Sequence, residues 1–194
     1  MRFILKFQLS TMRIPIEIRR TMISFIKKSL TQAHDGKYYE NFFKDTELKD
    51  YCFSIIYPLK QFHKNEIELK KPEISVVFSC TEKQNIAFLL MNVFLLQKNK
   101  KFPFPDDEYM ILKEIVPVRE KEILGNVGIF RSTLGGGIVV REHIKEEKKD
   151  IYYSVGDEKF LEKLDWIMKK RFERLGYPKE MIQFSSKLLE GKKV

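Results

Sequence analysis

An α+β chain that opens in the ferredoxin-like order β-α-β-β-α-β is what this sequence predicts, and three observations carry the prediction. Residues 2–9 alternate apolar and polar at the period of a strand. From Glu17 onward the apolar residues recur at the spacing of a helix. A nearly all-apolar stretch, residues 82–97, lies between strand-like runs at 51–57 and 73–79 on one side and 109–119 on the other. A shorter β-α-β run follows. The whole is therefore expected to form tandem ferredoxin-like domains, residues 1–120 and 121–194, with the second incomplete.

Taken in order, Phe3, Leu5, Phe7 and Leu9 fall on one face of the first strand, and Arg2, Ile4, Lys6 and Gln8 on the other. Pro15 stands where a helix would begin. In the helix, Ile18, Met22, Phe25, Ile26 and Leu30 make one face; Arg20, Ser24, Lys27, Lys28 and Thr31 line the opposite one. It should stop near His34-Asp35-Gly36, where Gly36 suits a left-handed cap. A short helical piece is expected at 38–43. The strands at 51–57 and 73–79 are bounded by Pro58 and Pro72, and the polar residues 59–71 read as a long connection between them. Residues 82–97 suit a helix buried against a sheet, with Thr81 and Glu82 at its start.

The second unit begins near residues 121–125 with a short strand at 127–130 and a turn over 131–137 that holds three consecutive glycines. Residues 138–142 and 150–155 flank the charged loop 145–149 and should pair as a hairpin. Phe160, Leu161, Leu164, Ile167, Met168 and Leu175 form the apolar stripe of another helix, which stops at Gly176-Tyr177-Pro178. Residues 181–189 read as a last strand.

With 194 residues and 43% hydrophobic content the chain can bury a substantial core. Its 36 Lys and Arg against 27 Asp and Glu give a net charge of +9, which suits a polyanionic partner, because neutralising phosphates releases condensed counterions. Cys52 and Cys80 each lie inside a strand-like run, lack zinc-ligand spacing and read as buried free thiols. The opening MRFILKFQLS is too short and too broken by charge for a signal peptide. The longest apolar run, residues 86–96, is interrupted by Asn92 and falls far below spanning length. A soluble, cytoplasmic protein with no membrane partner is the expectation.

Several segments carry a family resemblance. The strand MRFILKFQL, the helix IPIEIRRTMISFIKKSL, the aromatic segment GKYYENFF and the strand KDYCFSIIYP resemble the CRISPR precursor-RNA endoribonucleases of the RAMP superfamily, the Cas-six family. The most specific match is GGGIVVREHIKEEKKDIYYSVGDEKF, residues 135–160. The resemblance covers essentially the whole chain. It implies tandem ferredoxin-like domains similar to paired RNA-recognition (RRM-like) folds. It implies CRISPR repeat RNA as partner, alone or with other subunits of a CRISPR interference complex, in a monomer or homodimer. The implied reaction needs neither metal nor cofactor: a ribose 2′-hydroxyl attacks the adjacent phosphate, leaving a 2′,3′-cyclic phosphate and a 5′-hydroxyl. A catalytically inactive repeat-RNA-binding subunit is the alternative, and a basic module that binds a protein is a third reading. The family's glycine-rich C-terminal loop has no counterpart after Gly191, and residues 135–137 stand in the wrong place to be that loop.

Such a reaction needs a base for the 2′-hydroxyl, an acid for the leaving oxygen and a cation for the developing charge. The resemblance places a catalytic histidine just after the first long helix, and His34 is there; the helix dipole favours its protonated form. The competing reading is an exposed loop histidine. Tyr38 and Tyr39 suit orienting a phosphate or stacking on a base, against packing a helix onto the sheet. Lys49 and Lys37 are candidates for phosphate stabilisation, against solvated lysines. Arg19, Arg20, Lys27 and Lys28 can grip stem phosphates from the first helix, and Lys169, Lys170, Arg171 and Arg174 form a similar set later. Arg141 and His143, in the most specific segment, are candidate RNA contacts, and His63 reads as merely exposed.

Overall fold

The computed structural model describes residues 1–43, 49–81, 85–120, 125–132, 138–144 and 146–189, with two compact units, Met1–Ile129 and Phe130–Val194. The three glycines at 135–137, Glu82 and the start of the second unit at 121–124 lie outside the described residues.

The first unit runs β1 (Arg2–Leu9), β2 (Arg13–Pro15), α1 (Ile18–Gln32), α2 (Tyr39–Phe43), β3 (Tyr51–Ile56), β4 (Leu59–Phe62), β5 (Glu66–Leu69), β6 (Glu73–Cys80), α3 (Ile86–Leu95), β7 (Lys101–Pro103) and β8 (Tyr109–Val118). An antiparallel sheet in the order β3-β6-β1-β8-β7 is its centre. With the short additions set aside, β1-α1-β3-β6-α3-β8 is the expected ferredoxin-like order, and the α+β class stands.

The alternation in β1 decides which side of the sheet is covered. Phe3, Leu5, Phe7 and Leu9 are all buried, and α1 and α3 lie over them. Phe3 is directly opposite Phe78 of β6, and the two rings stack at 5.1 Å, nearly parallel at 1°. Phe25 of α1 meets Phe7 edge-on at 5.1 Å, and Phe94 of α3 meets Phe78 at 5.3 Å. Each such burial contributes roughly 1.5–3 kcal/mol. The β1–β8 register shifts between Lys6 and Phe7, so Lys113 is the extra residue of a bulge. The shift lets Met110 and Leu112 face the core before it and Ile115 after it. On the uncovered side, β1, β3 and β6 present Ile4, Lys6, Gln8, Cys52, Ser54, Ser75, Val77 and Ser79, with no aromatic ring.

Several expectations are corrected. Pro15 closes the three-residue strand β2, and α1 starts at Ile18. Residues 59–71 are no plain connection. They contain the β4–β5 hairpin, which joins β2 in a sheet ordered β2-β5-β4. Ile67, Leu69 and Ile14 are buried there, an alternation obscured by the charges at Lys64, Glu66, Glu68 and Lys70. Helix α3 is buried on one side only: Leu90, Val93 and Phe94 are covered, whereas Phe88, Leu95 and Leu96 are about half exposed. Cys80 is buried as expected, but Cys52 falls on the uncovered side of edge strand β3 and is exposed.

The second unit contains the hairpin β9 (Val140–Ile144) and β10 (Lys149–Tyr153), followed by α4 (Phe160–Arg174), which packs on β9. Glu142 ties the layers together: it accepts from Lys163 Nζ of α4 at 2.6 Å and from the Tyr153 hydroxyl at 2.7 Å. The strands expected at 127–130 and 181–189 do not form. Val127, Ile129 and Phe130 are exposed, and neither segment finds a ladder partner among the described residues. Among the described residues no helix is long and apolar enough to cross a membrane.

Candidate functional site

Helix α1 ends at Gln32 because Ala33, fully buried and extended at φ −88°, ψ 127°, turns the chain away. Three left-handed residues follow: His34 at φ 49°, Asp35 at 55° and Gly36 at 78°. Side chains resist this region, by roughly 1–3 kcal/mol each, so the turn has to be imposed by its surroundings. Gly36 N–H donates to the Ala33 carbonyl and Lys37 N–H to the His34 carbonyl, both at 3.1 Å. Gly36 is thus left-handed as expected, but it closes this extra turn, and the helix cap itself is Ala33. The consequence is an exposed His34 held just past the helix end.

Aromatic rings and cations gather around that turn. His34 meets Tyr38 edge-on, with centroids 5.7 Å apart at 87°. Tyr39 stacks on Phe43 at 5.4 Å. Lys37 Nζ lies 5.9 Å from the Tyr38 centroid, while Lys27 and Lys49 approach the Phe43 ring at 5.1 and 5.9 Å. A cation over a ring face is attracted by the ring quadrupole. The contacts make two groups: His34, Tyr38 and Lys37 at the turn, and Tyr39, Phe43, Lys27 and Lys49 about the Phe43 ring. Both tyrosines also pack against the core, so the packing role weighed for them is real for each.

Arg19 and Arg20 lie apart from these groups, about 12 Å up the helix axis from Lys27 and Lys28. Arg19 rests 4.3 Å over the Phe53 ring and donates to the Phe53 carbonyl at 3.2 Å, which fastens α1 to β3. Arg20 pairs with Glu17 at 2.8 Å.

In the second unit, Arg141 and His143 share one face of the hairpin with Asp150. His143 Nδ1 contacts one Asp150 oxygen at 2.9 Å, and Arg141 Nη2 contacts the other at 2.9 Å. Those hydrogen bonds, that from His143 foremost, hold the Asp150 carboxyl below its ordinary range, and Asp150 raises Arg141 in turn. Both predicted contacts thus already have an acidic partner. On α4, Lys170 pairs with Glu173 at 3.1 Å. His63 is close to Glu68, at 3.4 Å. Among the described residues no group of three or more His, Cys, Asp or Glu is placed to hold a metal ion.

Sequence reasoning missed one feature. An open groove of about 580 Å³ runs between the ends of α1 and α3 and the start of β7, with Lys28, Lys100, Lys101 and Gln97 among its walls and Asp35, next to His34, also lining it. In the sequence, Lys28 on α1 and the basic run Lys98-Asn-Lys-Lys101 after α3 lie far apart and give no sign that they share a groove.

No protein-family model and no curated protein matches the chain. Its fold is nonetheless shared with solved CRISPR-associated and RAMP proteins. One, described as a Cas6-related gene from Pyrococcus furiosus, aligns with a TM-score of 0.69 at 23% identity over 91% of this chain and 71% of that one. A second, an RAMP protein binding different RNA substrates, gives 0.64 at 17% identity over 91% and 72%. A third, CRISPR associated protein Cas6, gives 0.58 at 21% identity over 91% and 71%. At these identities the likeness establishes the fold.

Proposed function

We propose that the chain is a Cas6-like RAMP protein that binds CRISPR repeat RNA and cuts it within the repeat. The observation that carries this reading is the exposed His34 beside Tyr38, with Lys37 over the same ring, in a fold shared across 91% of the chain with proteins described as Cas6 or as RNA-binding RAMP. The net charge of +9 supports an RNA partner.

In this reading the ribose 2′-oxygen attacks the adjacent phosphorus and the bond to the 5′-oxygen breaks. The 2′-hydroxyl proton leaves to a base, and the 5′-oxygen takes a proton from an acid. His34 serves as acid or base, Lys37 and Lys49 offset the charge building on the phosphate, and Tyr38 and Tyr39 position it. Arg141 and His143 offer a phosphate contact if RNA displaces Asp150. Residues 1–120 and 121–194 act as the two domains, in the cytoplasm, alone or beside other subunits of an interference complex.

One observation favours a second reading, a repeat-RNA-binding protein that does not cut. Among the described residues no hydrogen bond orients the His34 imidazole, although a catalytic base is ordinarily held by a third group. End-labelled repeat RNA in excess chelator separates the two. Cutting that stops when the ribose before the cut lacks its 2′-hydroxyl supports the enzyme. A gel shift without cutting supports the binder. No salt-sensitive shift at low ionic strength defeats both.

A further inference from the structure

The two helices that cover the sheet differ on their outer sides. α1 turns Arg20, Ser24, Lys27, Lys28 and Thr31 to solvent, the polar face of an ordinary surface helix. α3 turns out Phe88, Asn92 and Leu95, and Leu96 continues the same side in helical conformation at φ −64°, ψ −18°. Phe88 is 55% exposed, and Leu95 and Leu96 are 48% exposed each. At 3.6 residues per turn the four side chains fall within about 100° of arc. They therefore form one stripe and are not scattered exposed residues. Leu89 and Met91 flank the stripe and pack against the core beneath it. No residue from Asn85 to Gln97 is charged, in a chain with a net charge of +9.

The order of the stripe is self-complementary. Phe88 stands four residues before Asn92 and Leu96 four after it, and residues at that spacing share a helix side. When two such helices pack antiparallel about a two-fold axis at Asn92, Phe88 of each meets the partner's Leu96. Leu95 closes the seam beside them, and the two Asn92 amides face one another. An amide carries both donors and an acceptor, so the central pair satisfies itself. A single Asn within an apolar helix seam fixes the register and the number of helices. Charge points to the same occupant. Two chains of +9 repel, and an uncharged stripe lets them meet without placing like charges opposite each other. A polyanion finds no cation on it.

We infer that the outer face of α3 is an isologous interface between two copies of this chain, antiparallel about a two-fold axis at Asn92. The inference does not depend on the RNA-binding reading above. The apolar stripe is small beside the roughly 800 Å² per partner of a stable interface, so the dimer is weak, with a dissociation constant on the order of 10–100 µM.

The test is sedimentation velocity on the full chain, freed of RNA, over a concentration series that reaches about 300 µM, well above that dissociation constant. The mass should rise toward twice that of one chain. Raising the salt should not weaken the association, because no charge lies in the seam. Phe88→Lys and Leu96→Glu should each weaken it at least tenfold and leave Tm near the parent's, since both positions are about half exposed. Mixed in equal amounts, the two variants should associate again. The new cation then meets the new carboxylate across the axis, and the second Phe88–Leu96 contact is intact. Asn92→Leu should tighten association and admit larger species, because the register is no longer fixed. A parent that stays monomeric at the top of the series overturns the inference. So does a dimer that both single variants leave intact, or one that mixing them does not restore.

Discussion

The His34 imidazole meets Tyr38 edge-on at 5.7 Å, so the predicted catalytic histidine and one of its two neighbouring tyrosines touch in space and are not merely close in sequence. An edge-to-face pair of this kind contributes about 0.5–1.5 kcal/mol beyond its buried area. His34→Ala should abolish cutting of repeat RNA in single-turnover assays while leaving binding within a few fold. Tyr38→Phe keeps the ring but loses the hydroxyl that positions the phosphate, so it should cut several-fold more slowly with Tm unchanged, whereas Tyr38→Ala should lower both the rate and Tm. Unchanged cutting by His34→Ala removes His34 from the mechanism.

Phe78 is the centre of the aromatic core. It stacks on Phe3, meets Phe53 at 5.5 Å and touches Phe94 of the covering helix. Phe78→Ala would leave a cavity on the central strand pair and should cost about 3–5 kcal/mol. Phe78→Leu keeps more of the volume and should cost less. Urea unfolding followed by circular dichroism measures both. A cost below about 1 kcal/mol for the alanine variant would mean that Phe78 does not stand opposite Phe3 in the β1–β6 pair.

Period and punctuation explain which parts of this fold were legible. β1, α1, β8 and α4 are long enough for their apolar residues to repeat several times, and the hairpin over 140–153 is framed by a charged turn. The three-residue strands β2 and β7 are too short to show a period, and they exist through the partners β5 and β8. The run at 181–189 has strand-like composition but no ladder partner among the described residues, which composition does not reveal. The turn at His34 was legible because a helix stop and a glycine mark it. The groove was not: Lys28, Gln97 and Lys101 come from three separate segments, and only the fold makes them neighbours.

Cys52 and Cys80 should differ sharply toward thiol reagents. Burial pushes the Cys80 thiol up to about 11, so at pH 8 it is almost wholly protonated and shielded as well. Cys52 is exposed on the neighbouring strand β3. One thiol per chain should react promptly with a colorimetric disulfide at pH 8 and the other only after denaturation. Cys52→Ser should remove the prompt phase and Cys80→Ser the slow one. Two prompt thiols would show that the β3–β6 edge opens readily.

The Asp150 clamp yields a pH dependence with a definite sign. Its hydrogen bonds from His143 and Arg141 hold the folded-state carboxyl below its ordinary value, which is about 3.9 in an unfolded chain. A depressed folded value means that the unfolded state takes up a proton first as pH falls. The clamp's contribution is therefore complete at neutral pH. It declines only below about pH 4, as pH passes from the unfolded value down through the folded one. Asp150→Asn cannot ionise and lacks that contribution at every pH. Its Tm should lie below the parent's at pH 6 to 7, and the gap should close as pH is lowered toward 3. The groups are solvent-exposed, so added salt should narrow the gap at neutral pH as well. A gap that stays constant down to pH 3 would assign the loss to hydrogen-bond geometry and not to the charge on Asp150. Tighter RNA binding by the same variant would be the companion result, because Arg141 and His143 would no longer be engaged by an anion of the protein's own.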